Sequence, residues 1–305
     1  MPKIMDLSIP EDVNKYIRKH FAKCNKSVAS DLSLFPAIHE ESLDMNLIGY
    51  WSKNQQPTKL KSGWTVRVDA HFIGGGRHFG TWEVADIGLM IIFRRKGKVI
   101  RSKMAFLQSK KLYANSLIFN KDNPYIRRFG MGRLLVSEEE HEEIIKPRLL
   151  HFTEASKYNA FQKDNEQQQA MKSFQEKFGM KMYYLLYNPL KIPYSIKMPV
   201  ENHPKFGKNE IGCRVIPKDF LDEALSSYSE KHTPSFGDIK YMLSGEFLDK
   251  RNDAGWRLEY FIVDLMMACK EGIIDDSPNF ETVLRFLNDK RSPMSSSLSI
   301  TIDAP

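Results

Sequence analysis

The residues best suited to chemistry fall in one stretch, from Asp86 to Lys110. Asp86 opens an apolar run that ends at Phe93, while Gln108 and Lys110 stand two residues apart in a second apolar run, Val99 to Tyr113. Residues two apart on a strand project from the same face, so Gln108 and Lys110 point the same way. A carboxylate and an amide carbonyl are hard oxygen donors of the kind Mg²⁺ accepts. An ammonium beside them can orient an attacking water or offset charge growing on a phosphorane. These are the groups that hydrolysis of a phosphodiester requires.

Such groups act together only if the chain around them forms a frame. The two apolar runs flank Arg94-Arg95-Lys96-Gly97-Lys98, whose glycine permits the positive φ of a tight reversal, so a β-hairpin is predicted. Residues 1–55 read as two helices. Pro10 with Glu11 and Asp12 opens the first, and Pro36 opens the second, which carries Ile38, Leu43, Leu47 and Trp51 and has Glu40 and Glu41 near its start. Trp64 to Phe72 reads as a strand broken by Gly74, Gly75 and Gly76. Asp164 to Phe178 has helical periodicity, stopped by Gly179, and Met180 to Tyr187 follows as an aromatic strand closed by Asn188-Pro189.

Between these elements, Pro124 to Gly132 reads as a basic connection, and Ser137 can cap a helix over the acidic run to Glu143. Residues 190–235 are rich in Pro and Lys and read as a loop-rich excursion. Trp256 to Lys270 is apolar on nearly every side and is predicted to be a buried helix, with Phe280 to Leu287 packed beside it. Ser295 to Thr301 alternates weakly, as an added strand or a frayed end. The expected architecture is α/β, a mixed central sheet flanked by helices with a smaller, mainly helical C-terminal element. Residues 1–190 form the core, and 191–305 form a loop-rich connection and helical region that can pack on it as one domain.

Asp86 followed by Gln108-Ser109-Lys110, preceded by a helix bearing Glu40-Glu41, resembles the PD-(D/E)XK, restriction-endonuclease-like, nuclease superfamily in a QxK form. The resemblance covers roughly residues 36–113, with the helix and strand of 164–187 as further parts of the core. Ala85 stands where the pattern has proline, and Gln108 where it has an acid. The resemblance implies a restriction-endonuclease-like core and endonucleolytic cleavage of DNA, most readily double-stranded, in a restriction or antiphage-defence setting. It implies Mg²⁺, replaceable by Mn²⁺, held by Asp86, Gln108 and a helix carboxylate, with Lys110 near the scissile phosphate. Glu41 lies in line with Met45 and Ile48, and Glu40 with Leu43 and Leu47, so the choice between them stays open, with Glu41 slightly favoured as the metal ligand. Glu83, three residues before Asp86, is a further candidate ligand or a strand cap. The alternative reading is a non-catalytic nucleic-acid-binding or interaction protein on a degenerate nuclease fold.

Composition fits this picture. The net charge is +7 over 305 residues, with 42% hydrophobic and 27% charged residues, as in a folded chain with a polyanionic partner. No acid occurs between Ile87 and Asn120, a stretch that holds Arg94, Arg95, Lys103 and Lys111. These four, with Arg77 and His78 of the Gly-rich IGGGRHFG segment, are the expected contacts to phosphate. That segment lacks the ending of a P-loop and the GxGxxG opening of a dinucleotide fold. Gln168 and Gln169 on the later helix read as an exposed face able to approach phosphate. The 3 cysteines are widely spaced and show no metal or disulfide pattern, and no histidine pair has metal-ligand spacing. With no apolar run of membrane-spanning length and no apolar signal core, a cytoplasmic chain without a membrane partner is expected. The loop-rich stretch leaves room for a homo-oligomer contact or a regulatory partner protein.

Overall fold

The structure is a computed structural model and describes residues 8–53, 56–73, 84–116, 148–161, 166–198, 200, 204–226, 228, 232–243, 254–275 and 293–305. Arg77, His78 and Glu83, the connection of 124–132, the acidic run of 137–143 and the segment 280–287 lie outside the described residues.

Helix α1 (Glu11–Leu34) follows Pro10 and places Glu11 and Asp12 in its first turn, where carboxylates meet the positive end of the helix dipole. Its buried stripe of Val13, Ile17, Phe21, Cys24, Val28 and Leu32 recurs every three or four residues, as an amphipathic helix requires. Helix α2 (Glu40–Ser52) starts four residues after Pro36 and buries Leu43, Leu47, Ile48 and Trp51; the Trp51 ring packs 4.4 Å from that of Phe21.

The chain then lays down strands β1 (Thr58–Lys59), β2 (Thr65–Phe72), β3 (Ala85–Arg95) and β4 (Lys98–Lys111). β3 and β4 form the predicted hairpin. Arg95 pairs with Lys98, and Lys96 and Gly97 both have positive φ, 50° and 75°, the backbone that a two-residue turn between twisted strands demands. Short strands β5 (Asn115–Ser116) and β6 (Arg148–Phe152) follow, then α3 (Glu166–Phe178), β7 (Met182–Tyr187), β8 (Tyr194–Met198), β9 (Arg214–Pro217), α4 (Lys218–Leu225) and α5 (Phe236–Leu243). Last come β10 (Trp256–Arg257), the helical turn α6 (Leu258–Tyr260) running into a π-helical stretch Phe261–Met267, β11 (Ile273–Asp275) and β12 (Met294–Ala304).

The main sheet is mixed, in the order β1-β2-β12-β3-β4-β7-β9-β10, with β11 also paired to β4. β12 runs parallel to β3, and β7 parallel to β4; the other pairs are antiparallel. A parallel neighbour needs a crossover, and α3 lies within the one from β4 to β7. α3 presses Phe174 onto Phe106 of β4, ring centroids 5.5 Å apart, while α2 covers the opposite face, where Asp44 accepts from Ser109. The architecture is a mixed sheet flanked by helices with a smaller helical C-terminal region. A second, antiparallel sheet joins β5, β6 and β8.

Two expectations are corrected. Trp256 to Lys270 is buried as expected, but not as one α-helix. Its first two residues pair with β9, after Gly255 at φ 102°, and the rest is a short α-turn widening into a π-helix. Gly255 is required there, because a Cβ would sit 2.6 Å from Ile216 Cγ1 and 2.9 Å from the Val215 carbonyl oxygen. The stretch of 190–235, expected as loop, contributes β8, β9 and α4.

The weakly alternating C-terminus turns out to be the 11-residue strand β12, held between β2 and β3. Its alternation is weak because both faces are covered and its serines are buried too, Ser296 donating to the Asp86 carbonyl and Ser299 bonding His71. Ile300 is fully buried at the middle of this strand. Replacing it with alanine should destabilise the fold by about 2–5 kcal/mol, read as a lower urea midpoint with an unchanged slope.

Candidate functional site

The site forms where β4 outruns β3. Their pairing ends at Ile87 and Leu107, yet β4 continues to Lys111 beside β7. Backbone groups of a strand alternate between its two neighbours, so the amides of Ser109 and Lys111 point to the side where β3 is no longer paired with β4. Carboxylates take them. Asp86 Oδ2 accepts from the Ser109 amide at 2.7 Å, and Glu40 Oε2 accepts from the Lys111 amide at 2.7 Å. Two side chains thus stand in for the missing strand, and each is fixed by a charge-assisted bond.

The candidate side chains gather around these two bonds. Gln108 Nε2 donates to Asp86 Oδ2, and Lys110 Nζ lies 3.5 Å from Glu40 Oε1. Gln108 and Lys110 are 2% and 4% exposed, so they are not a solvated strand edge; β4 is flanked on both sides along most of its length. Of the two helix carboxylates, Glu40 is the one brought to the site, and Glu41 is exposed.

Sequence reasoning missed three members. Asp44, one turn after Glu40 on the same helix face, is buried, and its Oδ1 accepts from Ser109 Oγ and from Tyr187 Oη, each at 2.5 Å. The signal was present in the i, i+4 spacing from Glu40 to Asp44, hidden because Asp44 falls inside an apolar stripe. Ser109 and Tyr187 carry no sequence signature of their own. They sit on the face opposite Gln108, where β4 and β7 pair Lys111 with Tyr187.

Electrostatically the site is crowded with negative charge. Burial, and next the charge of Asp86, hold the Asp44 carboxyl well above the usual carboxylate range, against the two hydroxyl bonds that lower it. Burial pushes the Lys111 ammonium down to about 8, with Glu40 opposing.

The expected phosphate contacts divide. Lys111 Nζ donates to the Pro36 and Ile38 carbonyls at 3.1 and 2.5 Å and lies over the Tyr113 ring. Lys103 is fully buried and donates to the Glu271 carbonyl. Both are interior clamps, which corrects their assignment as surface contacts. Lys111 ties the approach to α2 onto β4, and Lys103 ties the chain before β11 onto β4. Arg95, Lys96 and Lys98 are exposed and Arg94 half-buried at the hairpin tip, at the far end of β3 from Asp86, about 25 Å away at strand rise.

Among the described residues, no three Asp, Glu, His or Cys side chains are disposed to hold a metal ion. The oxygen donors that fit Mg²⁺ are the Asp86 carboxylate and the Gln108 carbonyl. Mg²⁺ is commonly held by one or two carboxylates, with water and substrate phosphate completing its shell. Among the described residues no helix is long and apolar enough to cross a membrane. Comparison of the chain with family models, curated proteins and solved structures gave no match.

The raised Asp44 carboxyl generates a pH prediction. A carboxyl that holds its proton more tightly when folded draws no penalty below about pH 4, where the unfolded chain is protonated too. Above that, Asp44 lowers stability progressively until its own folded pKa is passed. Asp44→Asn keeps a carbonyl oxygen for Ser109 and Tyr187 and cannot ionise. Its urea midpoint should match the parent near pH 4 and exceed it at pH 8; a constant difference across that range would refute the electrostatic account.

Proposed function

We propose that the chain is a metal-dependent endonuclease of the PD-(D/E)XK kind, in a QxK form, acting on DNA phosphodiester bonds. The observation that carries this reading is the meeting of Asp86 with Gln108 and of Glu40 with Lys110 where β3 starts and β4 ends. The order of helix α2, strand β2, hairpin β3-β4, helix α3 and parallel strand β7 supports a restriction-endonuclease-like core. A role in restriction or antiphage defence belongs to this reading through the resemblance alone.

Asp86 and the Gln108 carbonyl would hold Mg²⁺, which when bound lowers the pKa of water and draws charge from a phosphoryl oxygen. Lys110, kept in place by Glu40, presents a fixed cation to the charge that grows on the phosphate oxygens. Enclosure of Lys110 strengthens that attraction, because little water screens it. Ser109 and Tyr187 anchor Asp44, which keeps α2 and Glu40 in register with the end of β4.

One observation favours a second reading. Gln108 turns its amide nitrogen, not its oxygen, toward Asp86, and an amide in this position brings one negative charge fewer than an acid. A non-catalytic nucleic-acid-binding protein would keep this arrangement without metal.

Incubation with supercoiled plasmid and with single-stranded circular DNA separates the two. With Mg²⁺ or Mn²⁺ the endonuclease nicks or linearises; EDTA abolishes cleavage, and Lys110→Ala slows it about 100-fold or more. Cleavage that survives both controls overturns the site. Absence of cleavage, together with calorimetric titration showing no Mn²⁺ binding that depends on Asp86, establishes the second reading.

A further inference from the structure

β2 carries an open edge. β1 covers it only at Thr65 and Val66, and among the described residues no strand pairs with its outer side from Arg67 to Phe72. The bonds at its two ends show which backbone groups are free. Trp64 accepts from the Leu60 amide at 2.8 Å on the outer side, and Ile73 donates to the Ser295 carbonyl at 3.1 Å on the β12 side. Backbone groups alternate along a strand, so Val68, Ala70 and Phe72 aim their N–H and C=O groups outward, where no partner meets them among the described residues.

The strand at the opposite end of the path, β10, offers an edge of only 2 residues. β2 instead pairs with β12 in unbroken register from Thr65 to Phe72. Its bare part, Val68-Asp69-Ala70-His71-Phe72, holds neither Lys nor Pro, the residues that most often guard an edge. Phe72 is 67% exposed. On the alternate residues, Arg67 Nε donates to Asp69 Oδ1 at 2.7 Å and His71 Nε2 bonds Ser299 Oγ, which holds the carboxylate and the imidazole on one sheet face.

We propose that this edge pairs with the same edge of a second copy of the chain, antiparallel about a two-fold axis at Ala70, joining the two main sheets into one. Register argues for this occupant. An outward residue must face an outward residue, and Val66 is taken by β1, so few alignments remain. Centred on Ala70, Ala70 faces Ala70 and Val68 faces Phe72 on either side, so every free outward residue of both copies is paired. Asp69 then stands opposite His71 of the second copy, a carboxylate against an imidazole, in the closer, non-hydrogen-bonded pairs. The same register lays the exposed Phe72 of each copy beside the buried Val68 of the other. Centring on Asp69 sets two carboxylates against each other and leaves Phe72 unpaired. Centring on His71 sets two imidazoles together and carries Val68 past the end of the strand.

Sedimentation velocity of the full chain from about 1 to 100 μM should show the average mass rising toward that of a dimer. Phe72→Lys puts an exposed cation on the edge and Ala70→Pro removes an outward N–H, and each should weaken self-association about tenfold or more. Cysteine cross-linking reads the register. The two-fold sets the Ala70 Cα atoms about 5.5 Å apart, within reach of a disulfide, and the Arg67 Cα atoms roughly 20 Å apart. Ala70→Cys oxidised by a copper–phenanthroline complex should give a covalent dimer in several-fold higher yield than Arg67→Cys or the parent, whose Cys269 is partly exposed. The cross-link decides even where the proline variant fails to fold. A chain that stays monomeric throughout, a dimer that survives both edge variants, or equal cross-linking through positions 67 and 70 overturns the proposal.

Discussion

Two backbone amides govern the arrangement of the site. Where β4 runs on past its pairing with β3, Ser109 and Lys111 present N–H groups to a gap, and buried amides without acceptors would cost about 1–3 kcal/mol each. Asp86 and Glu40 fill the gap with carboxylates. Because Glu40 belongs to α2, this requirement fixes the helix against the sheet, and because Asp86 is the second residue of β3, it fixes that end of the strand. β12 adds a third constraint through the bond from Ser296 to the Asp86 carbonyl. The same two carboxylates that finish the sheet therefore make the corner at which Gln108 meets Asp86 and Lys110 meets Glu40.

That corner gathers more negative charge than packing alone would favour. Asp44 and Asp86 repel across Ser109, and burial penalises Asp44 further. Three things make the arrangement tolerable: the Lys110 ammonium, the two hydroxyls on Asp44, and the amides themselves. A fold selected for stability would place an apolar residue at position 44, where α2 otherwise buries Leu43, Leu47 and Ile48. Retaining a carboxylate that resists ionisation is the pattern expected where stability yields to a site.

The hairpin was legible in the sequence because two apolar runs flank a short basic segment and because Gly97 marks the turn. The facing of Gln108 and Lys110 followed from spacing alone. The helix of 166–178 was legible from its helical periodicity and its stop at Gly179, and the strand of 182–187 from a run of aromatic and aliphatic residues closed by Asn188-Pro189. β12 was not, since a strand covered on both faces loses its alternation, and serines satisfied by hydrogen bonds resemble those of a frayed end. Trp256 to Met267 hid its strand and π-turn because continuous apolar character reports burial without reporting geometry. Asp44 went unseen because its helix face reads as core. Lys103 and Lys111 were misjudged because a count of positive charges cannot distinguish an ammonium in solvent from one held by backbone carbonyls.

With those two lysines withdrawn to the interior, the exposed cations of the hairpin are confined to its tip. A nucleic acid touching both that tip and Asp86 would have to run the length of β3, about 25 Å, or some seven nucleotides of duplex rise. Small phosphate esters gain nothing from a cation so far from the corner; only a polymer can use both. If the corner acts on phosphate, only a chain long enough to span β3 gains from both places, the tip supplying attraction and register and the corner the phosphate that is engaged.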